Sequence, residues 1–250
     1  MNAKSCETNG RSDLVRICIV IPILKNKVFE ESTYRELDIA RRKDVEIGVV
    51  SIEKGPASIE SAYDEEIAAP FILEKVKEAE EKGFDAVIID CMGDLALRAS
   101  REMVNIPVIG PCQASLAMAS TLCDKFSVVT VLKRLLPLFW RNVKEYGFEA
   151  KVASVRSVDV PVLELEEKRD QVKEALVAES KEAIEKDEAG AIILGCTGMI
   201  GMAKELQEAL GVPVIDPSVA SLKLAESLVD MKISHSRLAY PKPPEKERRF

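Results

Sequence analysis

Val87-Ile-Ile-Asp-Cys91-Met-Gly93 and Ile192-Ile-Leu-Gly-Cys196-Thr-Gly198 are two copies of one local text, an apolar run of strand type closed by a cysteine and then a glycine. Each copy runs on to the same phrase, Pro107-Val-Ile-Gly-Pro111 in the first and Pro213-Val-Ile-Asp-Pro217 in the second. Cys91 precedes Pro107 by 16 residues and Cys196 precedes Pro213 by 17, after which Ala114-Ser-Leu116 matches Ala220-Ser-Leu222. One offset of 105 to 106 residues therefore superposes the two stretches, and the chain reads as a duplication.

Working outward, strand-like runs recur at 15–22, 45–51, 86–90 and 107–109, then at 126–132, 151–158, 190–195 and 213–215. Amphipathic Glu/Lys-rich helical patterns separate them, at 30–43, 64–82, 95–104, 113–123, 133–146, 166–186, 199–210 and 218–231. Strict alternation of this kind predicts an α/β fold. We expect two similar lobes, each a four-stranded, mainly parallel sheet flanked by helices, related by a pseudo-twofold axis with the site in the cleft between them. The expected layout is a flexible N-terminal tail over 1–14, a first lobe made of 15–113 and 218–238, a second lobe over 114–217, and a C-terminal tail over 239–250.

Composition narrows the function. A net charge of -7 and a pI near 5.1 argue against a basic nucleic-acid face. The first apolar run is too short to span a membrane, and Asn105, Pro107, Gly110, Pro111 and Gln113 interrupt the uncharged stretch 103–123. The polar residues 1–13 lack the apolar segment of a secretory signal, so a cytoplasmic location is expected. Six irregularly spaced cysteines without a Cys-x-x-Cys pair, and a single histidine, His235, predict reduced thiols and no metal site. His235 reads as a surface residue. Gly195, Gly198 and Gly201 do not have the dinucleotide-binding spacing and no phosphate-binding Gly-Lys-Ser/Thr loop occurs, so a nucleotide cofactor is not expected.

In open parallel sheets, ligands bind beyond the C-terminal strand ends, where helix N-termini present free N–H groups. Both repeated cysteines fall there. Inverting a carbon stereocentre needs a base on one face and an acid on the other, and a thiol, ordinarily titrating near 8.5, can serve as either. Cys91 and Cys196 are the candidate pair, with Gly93 and Gly198 letting backbone amides approach a developing oxyanion. Cys18 and Cys123 read as core, Cys6 as incidental, and Cys112 as a lesser candidate for the cleft wall. Asp90 precedes Cys91, and strand alternation turns its carboxylate away from the cleft. A noncatalytic cleft that binds a small metabolite is the competing reading.

These residues resemble the Asp/Glu/hydantoin racemase superfamily, and hydantoin racemases most. The likeness is carried by Gly55-Pro-Ala-Ser-Ile-Glu-Ser-Ala-Tyr63-Asp-Glu65, by Cys91-Met-Gly-Asp94 with Arg98, and by Leu194-Gly-Cys196-Thr-Gly-Met199 followed by Pro213-Val-Ile-Asp216. Phe126-Ser-Val-Val-Thr130 and Ala153-Ser-Val-Arg156 extend it to about residues 15–230. The resemblance implies a cofactor-independent racemase, a homo-oligomer, in which Cys91 and Cys196 exchange a proton with C5 of a 5-substituted hydantoin. It also implies that Ser58, Met92, Gly93, Thr130, Thr197 and Gly198 line the ligand. Met92-Gly93 replaces the Asn-Thr of the amino-acid racemases, which favours a ring without a free carboxylate over aspartate or glutamate. Ile21-Pro-Ile-Leu-Lys-Asn26 departs from the Asn-Pro-Asn segment of hydantoin racemases, and keeps allantoin, a ureido-hydantoin, in view.

Overall fold

A computed structural model describes residues 14–248. Its strands and helices alternate as β1 (Val15–Leu24), α1 (Lys27–Ala40), β2 (Val45–Ile52), α2 (Ala62–Glu81), β3 (Ala86–Ile89), α3 (Leu97–Met103), β4 (Val108–Ile109) and α4 (Pro111–Ala119). The second set is β5 (Phe126–Thr130), α5 (Leu136–Glu145), β6 (Val152–Ser157), α6 (Arg169–Asp187), β7 (Ile192–Leu194), α7 (Ala203–Leu210), β8 (Val214–Ile215) and α8 (Pro217–Asp230). They form two four-stranded sheets, ordered β2-β1-β3-β4 and β6-β5-β7-β8, with every neighbouring pair parallel. The two orders are the same path traced twice, so each cysteine follows the equivalent inner strand of its own sheet.

Local chemistry sets the element boundaries. β1 is buried almost throughout because helices cover both faces of a parallel sheet. Its pairing with β2 slips between Ile21 and Leu24, where Pro22 has no N–H to give the ladder. Helix α1 begins at Lys27, three residues ahead of the sequence pattern, because the Asn26 side chain caps the Val28 and Phe29 amides. Helix α7 begins only at Ala203, because residues 197–199 form a tight 3-10 turn under the second cysteine.

The core has separate apolar clusters. Ile17, Ile19, Ile88 and Ile109 of the first sheet meet Leu222 and Ala225 of α8, so the last helix returns to the first sheet. α4 is shared: Ala114 joins that cluster, whereas Cys112, Leu116 and Ala119 join the core under the second sheet. Cys18 is buried and Cys123 half-buried, whereas Cys6 and residues 1–13 of the expected N-terminal tail lie outside the described residues.

His235 corrects the sequence reading. Instead of projecting from the surface it is half-buried against β4, where its Nε2 accepts the Val108 N–H at 2.8 Å. An edge strand leaves its amides unpaired, and the imidazole satisfies one of them. Burial, with Arg101 beside it, pushes the ring down to about 4 and keeps it neutral as the acceptor role requires. The same segment continues as a strap. Arg237 donates to the carbonyls of Arg101, Glu102 and Val104 at the end of α3, and Tyr240 packs between Arg98 and Arg101.

Candidate active site

Where β3 stops at Ile89 the chain turns at once: Cys91 N donates to Ile89 O at 2.7 Å and Asp94 N to Cys91 O at 3.0 Å, with Asp94 at φ +50°. Where β7 stops at Leu194, Gly195 lies against β5 so closely that a Cβ there would meet Thr130 Cα at 2.6 Å. Only glycine permits that approach, and the Thr130 hydroxyl fastens it by donating to Gly195 O at 3.0 Å. Each sulfur then sits by the amide two residues on. Gly93 N donates to Cys91 Sγ at 3.5 Å, and the Gly198 amide serves Cys196 likewise.

The structure brings the two thiols into one cleft. A cavity lies to one side of them, walled by Met92, Gly93, Leu135, Leu138, Phe139 and Asn142. A second lies to the other, walled by Ile21, Pro22, Ile23, Phe29, Thr33, Asp90 and Gly198. Ile59, Cys91, Val162, Cys196 and Thr197 line both, so the cysteines stand where the two cavities adjoin. Glu60 accepts the Val162 N–H at 2.8 Å and joins the two loops over it.

Of the residues expected at the ligand, Met92, Gly93, Thr197 and Gly198 line these cavities. Thr130 does not: it is fully buried and its hydroxyl belongs to Gly195 O. Ser58 does not either, because its neighbour Ile59 is the residue that reaches the cavity. Cys112 is buried in the core, its amide bound to Asp94. Thr197 donates to Asp90 O at 3.1 Å, so its hydroxyl couples the two cysteine loops to each other.

Asp90 follows the last residue of β3, Ile89, and is among the residues that line the second cavity, its Oδ1 accepting from Ser218 Oγ at 2.8 Å. Burial lifts its carboxyl to about 7, Asp216 adding to the lift and Ser218 opposing it. Burial also raises both thiols, Cys91 well above its ordinary value and Cys196 to about 12, against the pull of the Gly93 and Gly198 amides. The carboxyl shift has a consequence for stability. Between 3.8, its ordinary value, and about 7 the folded chain holds a proton that the unfolded chain has released, so stability falls as pH rises through that window. Asp90→Asn removes this dependence. Its stability is expected to gain on that of wild type as pH rises from 5 to about 7, by up to ~1.4 kcal/mol per pH unit, and to hold that gain to pH 8, as read from melting curves. A constant difference across that range would contradict the burial of an uncompensated carboxyl.

Residues that the sequence reading missed come from the opposite half of the chain. Arg141 of α5 donates to Glu65 of α2 at 2.9 Å, and the Asn142 amide donates to Gly93 O at 3.0 Å. Tyr146 donates its hydroxyl to Asp94 at 2.8 Å. Leu135, Leu138, Phe139, Asn142 and Tyr146 share one helical face, a signal present in the text, but periodicity does not name the surface that face will meet. Among the described residues no trio of His, Cys, Asp and Glu side chains is placed to hold a metal, and no helix is long and apolar enough to cross a membrane.

Known proteins share this architecture. The model of the Asp/Glu/hydantoin racemase family matches residues 31–225. The hydantoin racemase of Pseudomonas sp. (strain NS671) is 44% identical over 208 residues, covering 83% of this chain and 84% of its own. The allantoin racemase from Klebsiella pneumoniae superposes with a TM-score of 0.89 at 35% identity, covering 93% of this chain and 95% of that one. The allantoin racemase from Pseudomonas fluorescens gives 0.90 at 32% identity, with 94% and 100% covered. The duplicated sheets, the paired thiols and these relatives together establish that the chain belongs to the Asp/Glu/hydantoin racemase family and is an isomerase, a racemase.

Proposed function

We propose that this racemase inverts C5 of 5-substituted hydantoins by two-thiol proton transfer. The observation that carries the reading is the placement of Cys91 and Cys196 together in one cleft, with a cavity to each side. C5 of a hydantoin lies next to the C4 carbonyl. One cysteine, as thiolate, takes the C5 proton, and the electron pair of the broken C–H bond moves onto the carbonyl oxygen to give a planar enolate. The other cysteine, as thiol, then gives its proton to the opposite face. The roles exchange for the other enantiomer, so neither thiol is dedicated to acid or base. The Gly93 and Gly198 amides offset part of the charge each sulfur carries as thiolate.

The walls favour a particular substituent. Leu135, Leu138, Phe139, Val131 and Val162 make the first cavity apolar, and Asn142 spends its amide on Gly93 O. An apolar 5-substituent gains by leaving water there, whereas the ureido group of allantoin meets a mostly apolar wall with the Glu65 carboxylate as its acceptor. Likeness to the allantoin racemases supports allantoin as the second reading. Among the described residues neither cavity is lined by Lys, Arg or His, so the α-carboxylate of aspartate or glutamate meets no cation there. The test is incubation of pure enantiomers of 5-benzylhydantoin, 5-isobutylhydantoin, allantoin, aspartate and glutamate in D2O. We expect loss of optical rotation with deuterium entering C5, and kcat/KM about tenfold or more higher for the apolar hydantoins, as one or two buried methylene equivalents would give. Absence of exchange with every hydantoin would remove the reading, and faster turnover of allantoin would replace it with the second.

A further inference from the structure

Resting on the two-thiol reading, we propose that Asp90 is a third catalytic group of this site, a neutral carboxylic acid that donates its O–H to the substrate carbonyl oxygen as that oxygen becomes the enolate. Three observations on the molecule carry it. Asp90 lines the same cavity as Cys91, Cys196 and Gly198, and is only 5% exposed. Ser218 Oγ, at the start of α8, donates to Oδ1, and Thr197 holds the Asp90 backbone carbonyl, so the carboxyl and the backbone of Asp90 are each held by a separate element. No cation offsets its charge, since among the described residues Lys, Arg and His are absent from the lining of both cavities.

The groups facing it decide its form during the reaction. Cys91 adjoins it in the chain, Cys196 faces it from the second sheet, and Asp216 approaches from the N-terminus of α8, itself bound by the Gly201, Ser218 and Val219 amides. Glu60 also acts on Cys196, and Glu65, bound to Arg141, acts on Cys91 more strongly than Asp90 does. The chemistry requires one negative charge, carried first by a thiolate and then by the enolate. A second negative charge on Asp90 in the same dry space opposes both, and a proton on Asp90 removes that opposition. With Oδ1 accepting from Ser218, the other carboxyl oxygen is the one left to carry the donated proton. A carboxylic acid kept neutral by its surroundings is a strong donor to a forming enolate, and the proton stays on Asp90 as the C5 proton passes to sulfur.

The neutral acid paired with a thiolate is a minor tautomer of the ionised acid paired with a thiol, so both carry the same number of protons. In the wild type kcat/KM for 5-benzylhydantoin therefore rises with pH to about 7 and then levels. Asp90→Asn places an amide N–H where the O–H was and cannot ionise. Its kcat at pH 7 is expected within about tenfold of wild type, and its kcat/KM continues to climb about tenfold per pH unit beyond pH 7. Asp90→Ala has no donor and is expected to lose about 10²–10³ in kcat, the usual effect of deleting one oxyanion donor. Steady-state kinetics from pH 5.5 to 9, with C5 deuterium exchange and melting curves for all three proteins, separate the outcomes. The assignment is overturned if Asp90→Asn is as impaired as Asp90→Ala, the result for a carboxylate that accepts a ring N–H. It is equally overturned if the wild-type profile keeps climbing above pH 8, or if Asp90→Ala turns over at the wild-type rate. A wild type that exchanges no C5 proton overturns the two-thiol reading itself.

Discussion

Cys91→Ala and Cys196→Ala are each expected to lower racemisation by ~10³-fold or more while leaving the fold intact. Removing a positioned acid or base ordinarily costs ~10²–10⁴ in rate, and here a single deletion takes away the only thiol on one face of C5 among the described lining residues. The fold survives because both thiols border cavities, so removing a sulfur extends an existing space without opening a void in the core. The remaining thiol in each variant can still remove the proton on its own side and return a deuteron there. Each variant should therefore exchange C5 of one enantiomer in D2O with retention, and the two variants should choose opposite enantiomers. Circular dichroism, chiral chromatography and proton NMR of the products read all three quantities. Wild-type inversion in either variant would sink the two-thiol mechanism.

Asp94→Ala is expected to destabilise the chain by ~3–5 kcal/mol and lower its melting temperature by about 10 °C or more. Helix α4 has glycine at its cap position, Gly110, where a Cβ would meet the Asp94 carboxylate at 2.5 Å. Asp94, 16 residues earlier in the chain, supplies the missing cap. Its carboxylate accepts the Cys112 N–H at 3.0 Å, the Gln113 N–H at 2.9 Å and the Tyr146 hydroxyl at 2.8 Å. Loss of a helix cap costs ~1–2 kcal/mol and each buried donor left unpaired ~1–3 kcal/mol. The damage reaches the site, because Met92 and Gly93 hang between Cys91 and Asp94, and KM should rise in the same variant. Asp94→Asn keeps the shape but turns an N–H toward donors, so it should recover less than half of the lost stability. A thermal shift under 2 °C for Asp94→Ala would refute the capping role.

How far the sequence could be read depends on the range of the interactions involved. Cys91 and Cys196 were legible because each occupies a position set by its own strand and turn, and the repeat doubled the signal. Gly93 and Gly198 came with them for the same reason. Thr130 was misassigned because the group its hydroxyl meets, Gly195 O, lies 65 residues away. Asp90 was hard to place because period-two alternation holds only inside a strand, and β3 ends one residue earlier. Asn142, Arg141 and Tyr146 were visible as polar residues on α5, but their partners Gly93, Glu65 and Asp94 lie 49 to 76 residues away.

The sequence by itself determined the alternation of strands and helices, the duplication into two four-stranded sheets, and the seat of one thiol at the end of a strand in each half. Those features follow from local periodicity, turn chemistry and repetition, which neighbouring residues encode. The tertiary structure alone decided that both thiols border one cleft, that Asp90 enters it, and that α5 builds its apolar wall. Thr197 to Asp90 spans 107 residues and Ser218 to Asp90 spans 128. Contacts at that separation arise where α8 returns to the first sheet and where the two lobes meet, and no local pattern records which side chains the tertiary fold will bring face to face.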